Sequence, residues 1–160
     1  MTSNQSFFEV TNTPFVKTIQ VPTSKSYANR ILILSAISDQ KIKIKNIPKS
    51  TDVLTLINCL TEIGLEIKRE ADSLLISNCF PACEQSENPL GLKTGDGGTT
   101  NRFLIPLLAL GKNEYELVPD GLISQRPIDE LVRHLKKLDV KIEVNNNEYW
   151  LKIQGPLHKK

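Results

Sequence analysis

The stretch LTEIGLEIK at 60–68 returns 75 positions later as LKKLDVKIE at 135–143. Every apolar position of the first copy meets an apolar partner in the second, and Gly64 faces Asp139. In both copies helical spacing gives way to period-two alternation at this point, so the stretch marks a helix handing over to a strand. A supersecondary unit is therefore written twice.

Upstream in the first copy, apolar residues at 53, 54, 56, 57, 60 and 63 predict a helix over Val53–Ile63, stopped by Gly64. LEIKR and SLLIS then predict two strands about a tight turn at Ala71 and Asp72. KIKIKNI at 41–47 alternates lysine with isoleucine, as a half-buried strand does. Before it, Tyr27–Ile37 has no proline or glycine and reads as a helix, and Val16–Val21 reads as extended. The second copy repeats this order. Thr100–Leu110 reads as an apolar helix, YELVP at 115–119 as a strand, and Ile128–Leu138 as an amphipathic helix opened by Pro127. VKIEV and YWLKI pair about Asn145, Asn146 and Asn147.

The expected class is α/β, with two βαβαββ repeats whose helices pack inside their sheets. Such a unit cannot bury its helices alone, so the copies should share an interior. We divide the chain into an opening strand at 1–20, a first repeat at 21–79, a connecting loop at 80–92 and a second repeat at 93–160.

Composition narrows the function. Hydrophobic residues make up 39% and charged residues 24% of the 160, which is globular usage. A formal net charge of +2 gives no general attraction to nucleic acid or anionic membrane, so any basic site must be local. ILILSAIS at 31–38 is bracketed by Arg30 and Asp39 and falls short of the roughly 20 residues of a membrane-spanning helix. The N-terminal MTSNQSFFEV lacks the pattern of a secretory signal, which leads us to expect a cytoplasmic protein. Cys59, Cys79 and Cys83 form no zinc pattern, and Cys59 lies on an apolar helix face. His134 and His158 lack a plausible nucleophile or metal partner and read as solvated surface, while Trp150 and Tyr149 read as core and rim.

Candidate chemistry gathers at helix starts. In SKSYANR (24–30), Thr23 and Ser24 can cap, Lys25 and Ser26 open the helix, and Ser26 and Arg30 share a face. A helix N-terminus presents unpaired N–H groups and a positive dipole end, which suits an anion. In GDGGTTNR (95–102), Gly95, Gly97 and Gly98 allow a ligand close to the backbone, with Asp96 and Thr99 beside them. Neither a phosphate-binding P-loop nor a dinucleotide fingerprint is complete here. In SQRPI (124–128), Arg126 offers a planar fork at a third helix start. Three such starts in one duplicated fold suggest a ligand with several acidic groups, and Lys25, Arg30 and Arg126 should converge on one pocket.

As an ordered trio, PTSKSYANR, GDGGTTNR and RPIDELVRHLKKLDVKI resemble the motifs of the enolpyruvyl transferases, and specifically the 5-enolpyruvylshikimate-3-phosphate synthase family. The similarity runs from about Ile19 nearly to the end. It implies an inside-out α/β barrel, and transfer of the enolpyruvyl group of phosphoenolpyruvate to the 5-hydroxyl of shikimate 3-phosphate, a step of aromatic amino acid biosynthesis. The resemblance implies release of phosphate with no metal or organic cofactor. The implied partners are those two small molecules, with no nucleic acid and no membrane, and the full-length form would be a monomer. Lys25 and Arg126 would hold phosphoenolpyruvate, Lys25 serving as the catalytic cation, and Ser26 and Arg30 would hold shikimate 3-phosphate. Gly98, with Asp96 and Thr99, would line the phosphoenolpyruvate pocket and be the small residue against which glyphosate packs. Asp52 matches a family aspartate, and Arg102 lies in the second motif.

This sequence departs from the family pattern in four ways. Asp96 stands where asparagine is common, Phe103 where proline is usual after the arginine, and Thr23 where glycine is usual. Family members are also well over twice as long and draw acid–base residues from their later portion, so the chain is expected to be an N-terminal fragment. Two other readings stay open. The sister family acting on UDP-N-acetylglucosamine has a cysteine and an asparagine where this chain has Gly121 and Ser26. A non-catalytic or split anion-binding module of the same fold is the alternative from another class.

Overall fold

The structure, a computed structural model, describes residues 23–84, 89–145 and 150–158. The extended stretch expected at 16–21 and most of the asparagine turn at 145–147 lie outside these. The first repeat runs α1 (Lys25–Ala36), β1 (Ile42–Lys45), α2 (Thr51–Glu62), β2 (Ile67–Glu70) and β3 (Ser73–Ile76). The second runs β4 (Leu90–Lys93), α3 (Gly98–Leu108), β5 (Glu114–Val118), a 3-10 turn at Ile123–Gln125, α4 (Asp129–Lys136), β6 (Lys141–Val144) and β7 (Leu151–Gln154). β4 begins at Leu90, so the strand takes up the last residues of the segment 80–92 that the sequence reads as loop. Its four residues include Gly91, which has no side chain to show an alternation.

The first sheet has the order β1-β3-β2, all antiparallel, and the second has β4-β5-β7-β6, in which β4 runs parallel to β5. Within the shared order βαββ, each repeat places its last strand between the other two. In β1 the isoleucines point to the half-buried face and the lysines to solvent, as their alternation requires.

The hand-over stretch that defines the duplication is built identically in both copies. Gly64 and Asp139 take positive φ, 105° and 64°, and the following N–H reaches back five residues, Leu65 to the Leu60 carbonyl and Val140 to the Leu135 carbonyl. This is a Schellman-type helix ending, which needs a left-handed residue just past the helix; glycine adopts it freely and aspartate tolerates it. The mismatch between the copies is thus a shared conformation.

α1, α2 and α3 pack on one another, burying Leu32 and Ala36, Leu56 and Leu60, and Leu104 and Leu108. Sheet residues Ile76, Leu92, Leu117 and Ile153 complete the same cluster. α4 is different: it lies against β6, and of its residues Leu135 is the buried one. Burial pushes the Cys59 thiol up to about 12, so it stays a thiol in the core.

Two loops are pinned by polar contacts. Glu84 accepts the backbone N–H groups of Lys112, at 2.9 Å, and Asn113, at 3.1 Å, and the Tyr115 hydroxyl at 2.6 Å. Burial, reinforced by that carboxylate, pushes the Tyr115 phenol above its ordinary range. Glu84→Ala removes the acceptor from all three donors and is expected to lower stability by about 2 kcal/mol, given the worth of hydrogen bonds to a charged group. Urea unfolding with Glu84→Gln as the milder comparison checks it; equal midpoints for wild type and Glu84→Ala would contradict it. At the chain's far end, Leu157 N–H bonds to the Ala109 carbonyl at 2.8 Å and His158 N–H to the Leu138 carbonyl at 2.9 Å. The segment after β7 thereby straps the ends of α3 and α4.

Candidate anion site at two helix starts

Ser24 caps α1, accepting the Tyr27 N–H at 3.3 Å while its carbonyl takes the Ala28 N–H. No acidic residue stands in the first turn, so the positive end of α1 is left to Lys25 and its own N–H groups. α3 opens at Gly98 after Gly97, again with no acidic residue in its first turn and no side-chain cap. The second helix of each repeat carries its own carboxylates at this position, Asp52 in α2 and Asp129 and Glu130 in α4. The start of α4 is therefore already complemented by negative charge, which removes it from the three anion-ready helix starts that the sequence suggests. That helix also begins later than expected: Ile128 caps it, and Pro127 lies before the cap. Preceding a proline, Arg126 is held extended at φ −80° and ψ 137°, closing the 3-10 turn.

Two buried asparagines fix the corner between α1, α2 and α3. The Asn29 amide donates to Thr100 Oγ1 at 3.3 Å, and that hydroxyl donates to the Asp52 carbonyl at 3.3 Å, tying the three helices together. Asn101 Nδ2 donates to the carbonyls of Thr94, Gly95 and Gly97, holding the glycine loop from inside. Neither asparagine was a candidate from the sequence. Both sit in an Asn-Arg pair early in a helix, Asn29-Arg30 and Asn101-Arg102, and an asparagine repeated where helices disfavour it was the available signal.

Charged tips then gather on the glycines. A Cβ on Gly98 would stand 2.7 Å from Arg126 Nη1 and 3.3 Å from Arg102 Nη1, so both guanidinium groups close on a residue with no side chain. Arg102 Nη2 also donates to the Pro127 carbonyl at 3.4 Å, tethering the residue next to Arg126. On the other side, a Cβ on Gly97 would meet the Asp52 carboxyl carbon at 3.2 Å, and Asp52 Oδ2 accepts from Lys25 Nζ at 2.8 Å. That hydrogen-bonded carboxylate holds the exposed Lys25 ammonium above its ordinary range, and Asp96 adds to the effect. Asp96 is itself exposed and lies against the turn at Gly121.

Lys25, Asp96, Gly98 and Arg126 are thus drawn to one corner, joined by Arg102 and Asp52, and Thr99 follows Gly98 in the first turn of α3. Arg30 makes contacts of its own. Its Nη1 donates to the Ser26 carbonyl at 2.8 Å, and its guanidinium lies over the Phe103 ring at 5.3 Å from the centroid. An apolar cavity of about 410 Å³ at the start of α1 is lined by Ser24, Tyr27, Ile31 and β1, and one of about 390 Å³ by Arg102 and residues 127–131. Neither is lined by Lys25, Arg30 or Arg126. Among the described residues, Lys25 and Arg126 approach the glycine corner, and Arg30 contacts Ser26 and Phe103.

The corner can neutralise an anion with two guanidinium groups, an ammonium and a helix start, and its glycines let the anion approach the backbone. The fold around it is that of the enolpyruvyl transferases. It matches EPSP synthase from Acinetobacter baumannii with a TM-score of 0.74 at 20% identity, over 87% of this chain and 32% of that one. The enolpyruvyl transferase NikO from Streptomyces tendae matches with a TM-score of 0.52 at 13% identity, over 81% of this chain and 30% of that one. The chain belongs to the EPSP synthase (3-phosphoshikimate 1-carboxyvinyltransferase) family, whose model matches residues 11–160. The 3-phosphoshikimate 1-carboxyvinyltransferase of Vibrio atlanticus is 33% identical over 144 residues, and that of Aliivibrio fischeri (strain MJ11) 36% over 141; each alignment covers 86% of this chain and 33% of the relative. This chain spans about a third of the length of the curated relatives it matches. Among the described residues no helix is long and apolar enough to cross a membrane.

Proposed function

We propose that this chain supplies part of the substrate site for transfer of the enolpyruvyl group of phosphoenolpyruvate to the 5-hydroxyl of shikimate 3-phosphate, with release of phosphate. The observation that carries the reading is the closure of Arg126 and Arg102 on Gly98, with Lys25 reaching the neighbouring Gly97 through Asp52. Family membership says which anions to consider. Lys25 and Arg126 hold phosphoenolpyruvate, with Gly98, Thr99 and Asp96 around it, and Ser26 and Arg30 hold shikimate 3-phosphate. Positive groups placed beforehand offset the repulsion between two phosphorylated substrates and stabilise charge moving onto the departing phosphate.

Calorimetric titration of the chain with shikimate 3-phosphate and with phosphoenolpyruvate tests this. Lys25→Ala and Arg126→Ala are each expected to weaken phosphoenolpyruvate binding about tenfold or more, as loss of a charge-assisted hydrogen bond does. Unchanged affinity in both variants, or no binding of either compound by the wild-type chain, would overturn the reading.

A further inference from the structure

We infer that Phe103 is a positioning residue, which holds the Arg30 guanidinium in a fixed plane for the anionic group of a ligand. This rests on Arg30 being a ligand contact, as proposed above. Arg30 Cζ lies over the Phe103 ring at 5.3 Å from its centroid, within the range of a cation–π contact, while Nη1 donates to the Ser26 carbonyl at 2.8 Å. The ring and the carbonyl thus hold the guanidinium at two points. One hydrogen bond uses one of five N–H donors, so the rest of the fork stays available to a carboxylate or phosphate.

The platform is itself anchored. Phe103 is half-buried on α3, one turn beyond Thr100, and Thr100 meets Asn29 of α1 in a buried hydrogen bond. The residues next to and one turn after that contact are Arg30 and Phe103, so the bond that joins α1 to α3 brings the stretches carrying ring and guanidinium together. An exposed arginine otherwise gives up rotamer freedom when it binds, and ordering it beforehand removes part of that cost. The ring stands where proline is usual in many members of the family that the motif resembles, and proline offers no aromatic face. The substitution therefore adds a contact to Arg30 instead of only filling space.

The test uses the whole chain with Phe103→Leu, Phe103→Met and Phe103→Trp, two variants without a ring and one with a larger ring. The first readout is the Arg30 Nε–H signal in NMR spectra, identified by its loss in Arg30→Lys. We expect a ring-shifted, ordered signal in wild type and Phe103→Trp, and one at the position of a free arginine in Phe103→Leu and Phe103→Met. The second readout is affinity for shikimate 3-phosphate, expected to weaken about two- to fivefold in the Leu and Met variants and to hold in the Trp variant. An Arg30 signal unchanged in the Leu and Met variants, or equal affinities across ring and no-ring variants, would overturn the inference. Failure of wild type to bind shikimate 3-phosphate would instead remove the substrate reading, while the Arg30 signal still decides whether the ring orders the side chain.

Discussion

Gly155→Ala is expected to destabilise the protein by about 3 kcal/mol, the scale of overpacking where nothing can yield. A Cβ at that position would overlap the carbonyl oxygens of Ala109 and Gly111. Both are backbone atoms at the end of α3, and the Ala109 carbonyl is already engaged by the Leu157 N–H. The chain could relieve the clash by lifting the segment after β7, which would break the strap across α3 and α4. Gly91→Ala is the control, because among the described residues nothing lies within 4 Å of its added carbon. It should change stability by less than about 0.5 kcal/mol. Urea midpoints for the pair decide the matter, and similar midpoints would show that the strap accommodates the methyl group.

Gly98→Ala should do the reverse: spare the fold and damage the site. The added carbon would sit 2.7 Å from Arg126 Nη1 and 3.3 Å from Arg102 Nη1, but these are the ends of flexible side chains that can swing aside. Alanine is also the better helix former at the first residue of α3, so stability should stay within about 1 kcal/mol of wild type. The displaced guanidinium groups are the loss. Each displaced guanidinium would lose a charge-assisted hydrogen bond to the ligand, so binding of phosphoenolpyruvate should weaken by roughly ten- to a hundredfold. Retained affinity with an unchanged melting point would mean that Arg126 does not act through this corner.

How much of this was readable beforehand depends on the range of the interaction. Local pattern located α1, α2 and α3 to within a few residues, α2 by its apolar period and α1 by a run free of proline and glycine. The Gly64 and Asp139 correspondence looked like the flaw in the duplication and was the most informative position in it, since both residues make the same left-handed ending. The βαβαββ order calls for a strand before α3, but local pattern did not locate β4, whose Gly91 carries no signal, nor the start of α4, where Pro127 holds Arg126 extended ahead of the cap. The chemistry of helix starts supplied Lys25, Gly98 and Arg126 as candidates and the resemblance gave them roles, but it is contact between distant segments that arranges them. Asp52 reaches Lys25 across 27 positions and Asn29 reaches Thr100 across 71, separations that no periodicity records. Phe103 was legible as a departure from a motif, but what it touches was not.

The pairing of Lys25 with Asp52 has a consequence for how the corner would meet a ligand. It is an exposed pair, with 60% of the lysine side chain in solvent, and adds little to stability. Its effect is to give the ammonium a resident counterion. An arriving phosphate would exchange with that carboxylate instead of shedding salt from bulk solution, so its grip should vary less steeply with ionic strength than the number of nearby cations implies.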